Sequence, residues 1–329
     1  MNEQIWISRL KLEQKVREFF WHEGFLETRT PLLVCSPGME PHLKPIELKT
    51  TSGTSVFLPT SPEFAMKKLL AKGLNKIFQI APCFRDEPHS PDHSPEFTLL
   101  EFYESNITMD ALQARVENLF QMLAIEFKGS ALVNFRGNSI NLAGKWPSLQ
   151  VNELFRTHAN VDLRTHLSPE SLAAVCKSHG LMAEASESWD DLYFKLWLNL
   201  IEPKMPKNRP VFVTHYPLSQ SSLCNPVLDN SGFAWANRFE LYVGNFELAN
   251  AFDELRDAKI QRKNFEHDQK IRFDVYGDAY PTSPVDEELL RAIEKMQPTC
   301  GIAIGLDRLA MLILEAENIS EVLPLPSYW

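Results

Sequence analysis

Phe84-Arg85-Asp86-Glu87-Pro88-His89-Ser90-Pro91-Asp92-His93-Ser94-Pro95-Glu96-Phe97-Thr98-Leu99-Leu100-Glu101-Phe102-Tyr103 decides how this chain is read. The stretch reads as two strands joined by a short loop rich in Pro, His and Asp that could close over a nucleotide. Side chains of an extended strand alternate between faces. Phe97, Leu99, Glu101 and Tyr103 therefore share one face, and Arg85 and Glu87 share a face in the first strand. One sheet surface thus offers an arginine for a phosphate, an aromatic ring for a base and a carboxylate for an amine. A site that joins ATP to an amino acid needs that set.

This segment resembles motif 2 of the class II aminoacyl-tRNA synthetases, in particular the lysyl branch. Gly24-Phe25-Leu26-Glu27-Thr28-Arg29-Thr30-Pro31 looks like motif 1, the dimer-forming helix and strand that ends in proline. Gly301-Ile302-Ala303-Ile304-Gly305-Leu306-Asp307-Arg308 looks like motif 3. The three lie in the family's order and span nearly the whole chain. The fold implied is α+β, the class II synthetase catalytic fold: a mixed, mainly antiparallel sheet flanked by helices. The helix and strand at motif 1 imply a homodimer.

Bulk composition is compatible. A chain of 329 residues with 44% hydrophobic content can bury a sizeable core. No apolar run has the length of a membrane span. The start, Met1 to Trp6, has no basic and apolar leader, so a cytoplasmic protein is expected. Cys35, Cys83, Cys176, Cys224 and Cys300 are scattered, without a CxxC pair, which points to reduced thiols. No HExxH pattern occurs, which argues against a zinc hydrolase. A formal net charge of −10 argues against extended contact with nucleic-acid phosphates, although local basic groups such as Lys204, Lys207 and Arg209 remain.

Along the chain, Leu12, Val16, Phe19 and Phe20 recur at helical spacing. Pro62 to Lys72 reads as a short helix and Ile77 to Arg85 as a strand. Thr108 is placed to cap a helix with an apolar face of Leu112, Val116, Leu119, Phe120 and Leu123. Residues from about 145 to 210 read as a helical insertion on one catalytic domain covering 1–329. Within it, Ser168 and Pro169 start a helix and Gly180 stops it. A second helix runs from about Asp190 to Ile201. Arg238 to Leu248 reads as a hairpin turning at Gly244-Asn245. On that register Tyr242 faces Glu247, with Glu240 diagonal on the same face, so the two carboxylates converge and could hold Mg²⁺ against a triphosphate.

The resemblance also implies roles. Arg85 would bridge the substrate carboxylate and the ATP α-phosphate. Glu87 would accept from the adenine amino group, Phe97 would stack on the ring, and His93 would reach the outer phosphates. Arg308 would hold the γ-phosphate from the other side, while Asp307 would partner the backbone. Lysyl-type loops carry an arginine near this histidine; Pro88 to Asp92 has none. For the amino acid the implied residues are Glu63, Glu101, Tyr103, Asn250 and Glu254, with a backbone carbonyl from Gly38. Asn250 and Glu254, four apart, would share a face if the chain is helical there. Gly301, Ala303 and Gly305 alternate onto one face of the motif 3 strand, where small residues let a ligand approach the backbone. Lysyl-tRNA synthetases have glycine at all three places. The methyl of Ala303 would press on an α-amino group, which a β-amino acid carries one carbon farther along.

Motif 1 begins near residue 20, which leaves no room for the anticodon-binding domain that precedes it in lysyl-tRNA synthetases. That feature resembles the elongation factor P β-lysine ligases. It implies ATP-dependent activation of (R)-β-lysine and transfer to a lysine side chain of elongation factor P, with tRNA not expected as a partner. Other readings are a shortened lysyl-tRNA synthetase charging tRNA with α-lysine, a non-catalytic regulatory paralogue, and an enzyme making a free amide or modified nucleotide. The regulatory reading sits poorly with the presence of Arg85, Glu87, Glu240, Glu247 and Arg308.

Overall fold

The structure is a computed structural model and describes residues 3–220, 222–281, 283–323 and 325. Its helices are α1 (Glu3–His22), α2 (Glu63–Leu70), α3 (Met109–Lys128), α4 (Val151–His158), α5 (Pro169–Ser178), α6 (Trp189–Leu196), α7 (Ala258–Tyr276), α8 (Glu287–Ile293), α9 (Leu306–Leu314) and α10 (Ile319–Val322). Its strands are β1 (Leu26–Glu27), β2 (Glu47–Lys49), β3 (Ser55–Phe57), β4 (Lys76–Phe84), β5 (Glu96–Ser105), β6 (Leu132–Phe135), β7 (Asn138–Asn141), β8 (Ser148–Gln150), β9 (Pro210–Tyr216), β10 (Pro226–Leu228), β11 (Ala234–Val243), β12 (Phe246–Asp253) and β13 (Thr299–Gly305).

A nine-stranded sheet runs in the order β1-β4-β5-β13-β12-β11-β9-β8, with β10 beside β11. The pairs β1·β4 and β8·β9 are parallel; the others are antiparallel. This is the mixed, mainly antiparallel α+β architecture expected from the motifs.

The period-2 pattern of β5 explains why the sheet has two different faces. Leu100 and Phe102 point into an apolar core with Phe20, Phe78, Leu112, Phe120, Ile302 and Leu309, closed by α1, α3 and α9. Leu99, Glu101 and Tyr103 point to the other face, which stays open as a cleft. Local chemistry fixes the ends of the covering helices. Thr108 Oγ1 accepts from the Ala111 N–H at 3.3 Å and starts α3. Gly129, at φ 73°, ends it, where a residue with a Cβ would be strained.

Residues 151–205 form a second apolar cluster over the far end of the sheet. Phe155, Leu172, Tyr193 and Trp197 pack there against Val211, Val213, Trp235 and Tyr242. Ser168 caps α5 with Pro169 in its first turn. The helix expected over Asp190 to Ile201 is α6 followed by a π-helical turn at Trp197–Ile201, begun by a capping box at Ser188 and Asp191. No helix among the described residues is long and apolar enough to cross a membrane.

Candidate active site

The open face of the sheet forms a cleft of about 520 Å³, a size that suits a small-molecule ligand. Strand register builds its floor. Glu240 pairs with Asn250, Asn250 with Ala303, and Ala303 with Glu101. These four residues make a straight row across β11, β12, β13 and β5. The next row is Arg238, Phe252, Gly301 and Tyr103. All eight line the cleft.

At one end the cleft is acidic and closed. Glu101 has no solvent exposure, and its carboxylate accepts from Ser61 Oγ at 2.5 Å and Tyr103 OH at 3.0 Å. Burial first, and the Glu63 charge second, push the Glu101 carboxyl up to about 8. Glu63 at the start of α2 and Glu254 just after β12 each lie 2.5 Å from the Lys67 ammonium. Lys67 is 1% exposed, and the two carboxylates raise its pKa against the effect of burial. Burial and Glu63 likewise raise Glu254. Two carboxyls thus hold one lysine, and Glu101 lines the same end, which leaves two net negative charges for a ligand when all are ionised. Only glycine fits at Gly301: a Cβ there would lie 2.3 Å from Glu254 Oε1 and from the Tyr103 ring.

The other end is basic and more open. Arg85 sits 4.9 Å from the Phe97 ring centroid, and its Nε is buried with no hydrogen-bond partner. A buried donor left unmatched is costly unless a ligand meets it. Glu87 lines the same wall. Arg308 donates from Nη1 to the Glu247 carbonyl at 2.9 Å, from Nε to the Asp92 carbonyl at 3.3 Å and from Nη2 to His93 Nε2 at 2.7 Å. Arginine can only donate, so His93 Nε2 accepts and the ring proton sits on Nδ1, 2.8 Å from Ser90 Oγ. Partial desolvation of the ring at the cleft mouth and the Arg308 charge lower the His93 pKa and favour this neutral form. Asp307 accepts from the Thr98 N–H at 2.6 Å and pairs with Arg9 at 2.8 Å, the backbone-holding role expected of it.

Between the two ends stand Glu240 and Glu247. Glu240 Oε2 accepts from Tyr216 and Tyr242, each at 2.6 Å, and Oε1 pairs with Arg238. Burial and the neighbouring Glu240 charge push Glu247 up to about 7. Among the described residues no group of three or more His, Cys, Asp or Glu could enclose a metal. The donor set still fits Mg²⁺, which keeps several waters and is held by one or two carboxylates with substrate phosphates. A divalent cation would also relieve the repulsion between these two carboxylates. The unmatched Arg85 Nε fits a phosphate oxygen in the same way.

Two expectations need correction. Asn250 and Glu254 are not on a helix: Asn250 is within β12, and Glu254 follows it in extended chain, bridged to Cys224. They still reach the same cleft because their even separation suits a strand. Gly38 does not line the cleft. It is buried behind Thr60 and Glu40, with φ 149°, and Glu40 takes the place at the cleft wall. One face of Phe97, the ring expected to stack on the base, carries the Arg85 guanidinium.

The sequence reading also missed residues. Lys67 left only a faint signal, a Glu-to-Lys spacing of four on a short helix. Arg238 looked like the start of a hairpin, yet its Nε holds Asn250 Oδ1 at 3.0 Å and it stacks 4.4 Å from the Tyr216 ring. The hairpin register itself was read correctly at Tyr242 and Glu247, but a bulge follows, pairing Leu241 with Ala249. That extra residue turns Glu247 and Asn250, three apart, toward one cleft.

Comparison with known proteins agrees with this geometry. Residues 1–328 match the profile of the tRNA synthetases class II (D, K and N). Three relatives carry the name Elongation factor P--(R)-beta-lysine ligase. The chain is 34% identical to the one from Proteus mirabilis (strain HI4320), over 98% of this chain and 94% of the relative. It is 32% identical to that of Hamiltonella defensa subsp. Acyrthosiphon pisum (strain 5AT), over 97% and 94%. It is 35% identical to that of Edwardsiella ictaluri (strain 93-146), over 96% and 93%. With a matching profile along nearly its whole length and a sheet of the corresponding architecture, the chain belongs to the class II tRNA synthetase (D, K and N) family.

Proposed function

We propose that this chain is an AMP-forming ligase that activates (R)-β-lysine with ATP and transfers it to a lysine side chain of elongation factor P. The name shared by its relatives supports the amino acid and the acceptor. The observation that carries the reading is Ala303, in register between Glu101 and Asn250 on the cleft floor. Its methyl occupies space that an α-ammonium beside the activated carboxylate would need, and a β-ammonium avoids it.

The substrate supplies the nucleophile. Its carboxylate oxygen bonds to the α-phosphorus of ATP, the bond to the bridging oxygen breaks, and pyrophosphate leaves. Arg85 holds the carboxylate and the α-phosphate together, aligns the attack and stabilises the charge that develops. Because Arg85 and Phe97 touch, a nucleotide that uses both must bend. Glu87 accepts from the base, and His93 and Arg308 take the outer phosphates. Glu240 and Glu247 would hold Mg²⁺, which would supply charge neutralisation for the pyrophosphate as it leaves. Glu63, Glu101 and Glu254, offset by Lys67, receive the two ammonium groups, with Tyr103 and Asn250 beside them. In the second half the acceptor amine attacks the acyl carbon, an amide forms and AMP leaves.

The reading includes a cytoplasmic location and a homodimer. Exposed Leu10, Trp21, Leu26, Leu32 and Leu33 on and after α1 supply an apolar surface for the second subunit. Light scattering at micromolar concentration is expected to return twice the chain mass.

The test is direct. With Mg·ATP and (R)-β-lysine, purified elongation factor P should gain the mass of one β-lysyl residue, and a variant lacking the acceptor lysine should not. Charging of tRNA with unmodified elongation factor P would overturn the proposal.

A further inference from the structure

The motif 2 loop contains no arginine, but the structure brings one to it. Arg136 lies in the two-residue turn between β6 and β7, where Phe135 pairs with Asn138. Its guanidinium grips Asp92 with both ends: Nη1 donates to Oδ2 at 3.1 Å and Nη2 to Oδ1. The same group lies 5.0 Å from the Phe135 ring and 4.8 Å from the Phe246 ring. Phe246 also carries Arg308, at 5.6 Å. Arg136 sits at φ 50°, a region in which such turns favour Asn or Gly. A long cationic side chain is kept there despite the backbone strain.

Asp92 explains what this achieves. It lines the cleft beside His93 and Arg308, at the end where outer phosphates would arrive. A bare carboxylate in that position would repel a polyphosphate and compete with it for Arg308. The bidentate pair cancels the charge and fixes the loop from outside, so that the Asp92 main-chain carbonyl receives Arg308 Nε. The loop is held a second time where the Ile319 N–H donates to the Pro91 carbonyl at 2.8 Å.

We propose that Arg136 is a positioning residue for nucleotide binding: it neutralises Asp92, so that this carboxylate neither repels the outer phosphates nor draws His93 and Arg308 away from them. This rests on the nucleotide reading of the basic end of the cleft. Arg136 does not touch the nucleotide; it acts through Asp92.

The pair is partly exposed, so its loss should scarcely change folding. ATP–pyrophosphate exchange and calorimetric binding of Mg·ATP are measured on the wild type, Arg136→Ala and Arg136→Ala/Asp92→Asn. The single variant is expected to raise the KM and Kd for ATP by about tenfold, from one added like charge near the phosphates, with the KM for the amino acid and the Tm little changed. The double variant is expected to recover most of the loss, because it removes the bare charge. A merely structural pair would not be rescued by deleting its second member. An unchanged ATP affinity in Arg136→Ala, or a double variant as weak as the single, overturns the proposal. Failure of the wild type to bind Mg·ATP would instead sink the nucleotide reading, and this inference with it.

Discussion

The two ends of the cleft are built on different principles. At the acidic end Glu101, Lys67 and Glu254 are almost wholly buried and meet protein partners at 2.5–3.0 Å. At the basic end Arg85, Glu87 and Arg308 are half-buried, His93 is exposed, and Arg85 Nε has no partner. The acidic end is assembled as the chain folds, and its charges hold one another. The basic end is completed by what binds there. Damage at the first should therefore register as lost stability, and damage at the second as lost rate.

Lys67→Met should show the largest effect. It strands Glu63 and Glu254 without their cation, and removing one partner of a buried pair destabilises by about 3–5 kcal/mol. Urea unfolding should show that drop; a loss under about 1 kcal/mol, the range of exposed pairs, would mean the acidic end is not prebuilt. Arg85→Ala makes the opposite case. It should lower pyrophosphate exchange by roughly two to three decades and leave the unfolding midpoint nearly unmoved. An equal fall in stability would erase the distinction between the ends.

Ala303→Gly probes the floor between them. It should shift discrimination between β- and α-lysine toward the α-isomer by about 1–3 kcal/mol, with kcat for the β-isomer largely kept. Unaltered selectivity would remove Ala303 from the amine-sensing surface.

The pH dependence is the gentlest probe. The Glu101 carboxyl is raised from its ordinary 4.5 to about 8. Its favourable contribution to stability is thus fully present below about 4.5 and is lost as pH rises through 8. A diammonium ligand favours the ionised form, so its binding releases a proton below that pH. Its affinity should rise about tenfold per unit from pH 6 to 7.5. Glu101→Gln should reduce the slope to the share contributed by Glu254, which burial also raises, and calorimetry in buffers of different ionisation enthalpy should detect fewer protons released than in the wild type. A flat wild-type profile would show that Glu101 is already ionised in the empty site.

The legible parts of this site were those governed by local periodicity. Alternation in β5 put Phe97, Glu101 and Tyr103 on one face, and the Gly244-Asn245 turn set Tyr242 opposite Glu247. What escaped depends on distant chain. Lys67 joins Glu63 to Glu254, which lies 187 residues beyond the lysine, and no local pattern announces that pairing. The bulge beside Leu241 is invisible to a period of two, yet it decides which way Glu247 points. Arg136 answers the missing loop arginine from a hairpin 44 residues beyond Asp92. Glu254 was misread because a spacing of four suits both a helix and an even-numbered strand.

The central claim is that a prebuilt acidic end, floored by Ala303, selects a β-amino acid for activation at the basic end. Pyrophosphate exchange into ATP by the wild type, with (R)-β-lysine and with α-lysine as alternative substrates, tests it most directly. The account predicts robust exchange with (R)-β-lysine and a much lower kcat/KM with α-lysine. Equal or better use of α-lysine would contradict it.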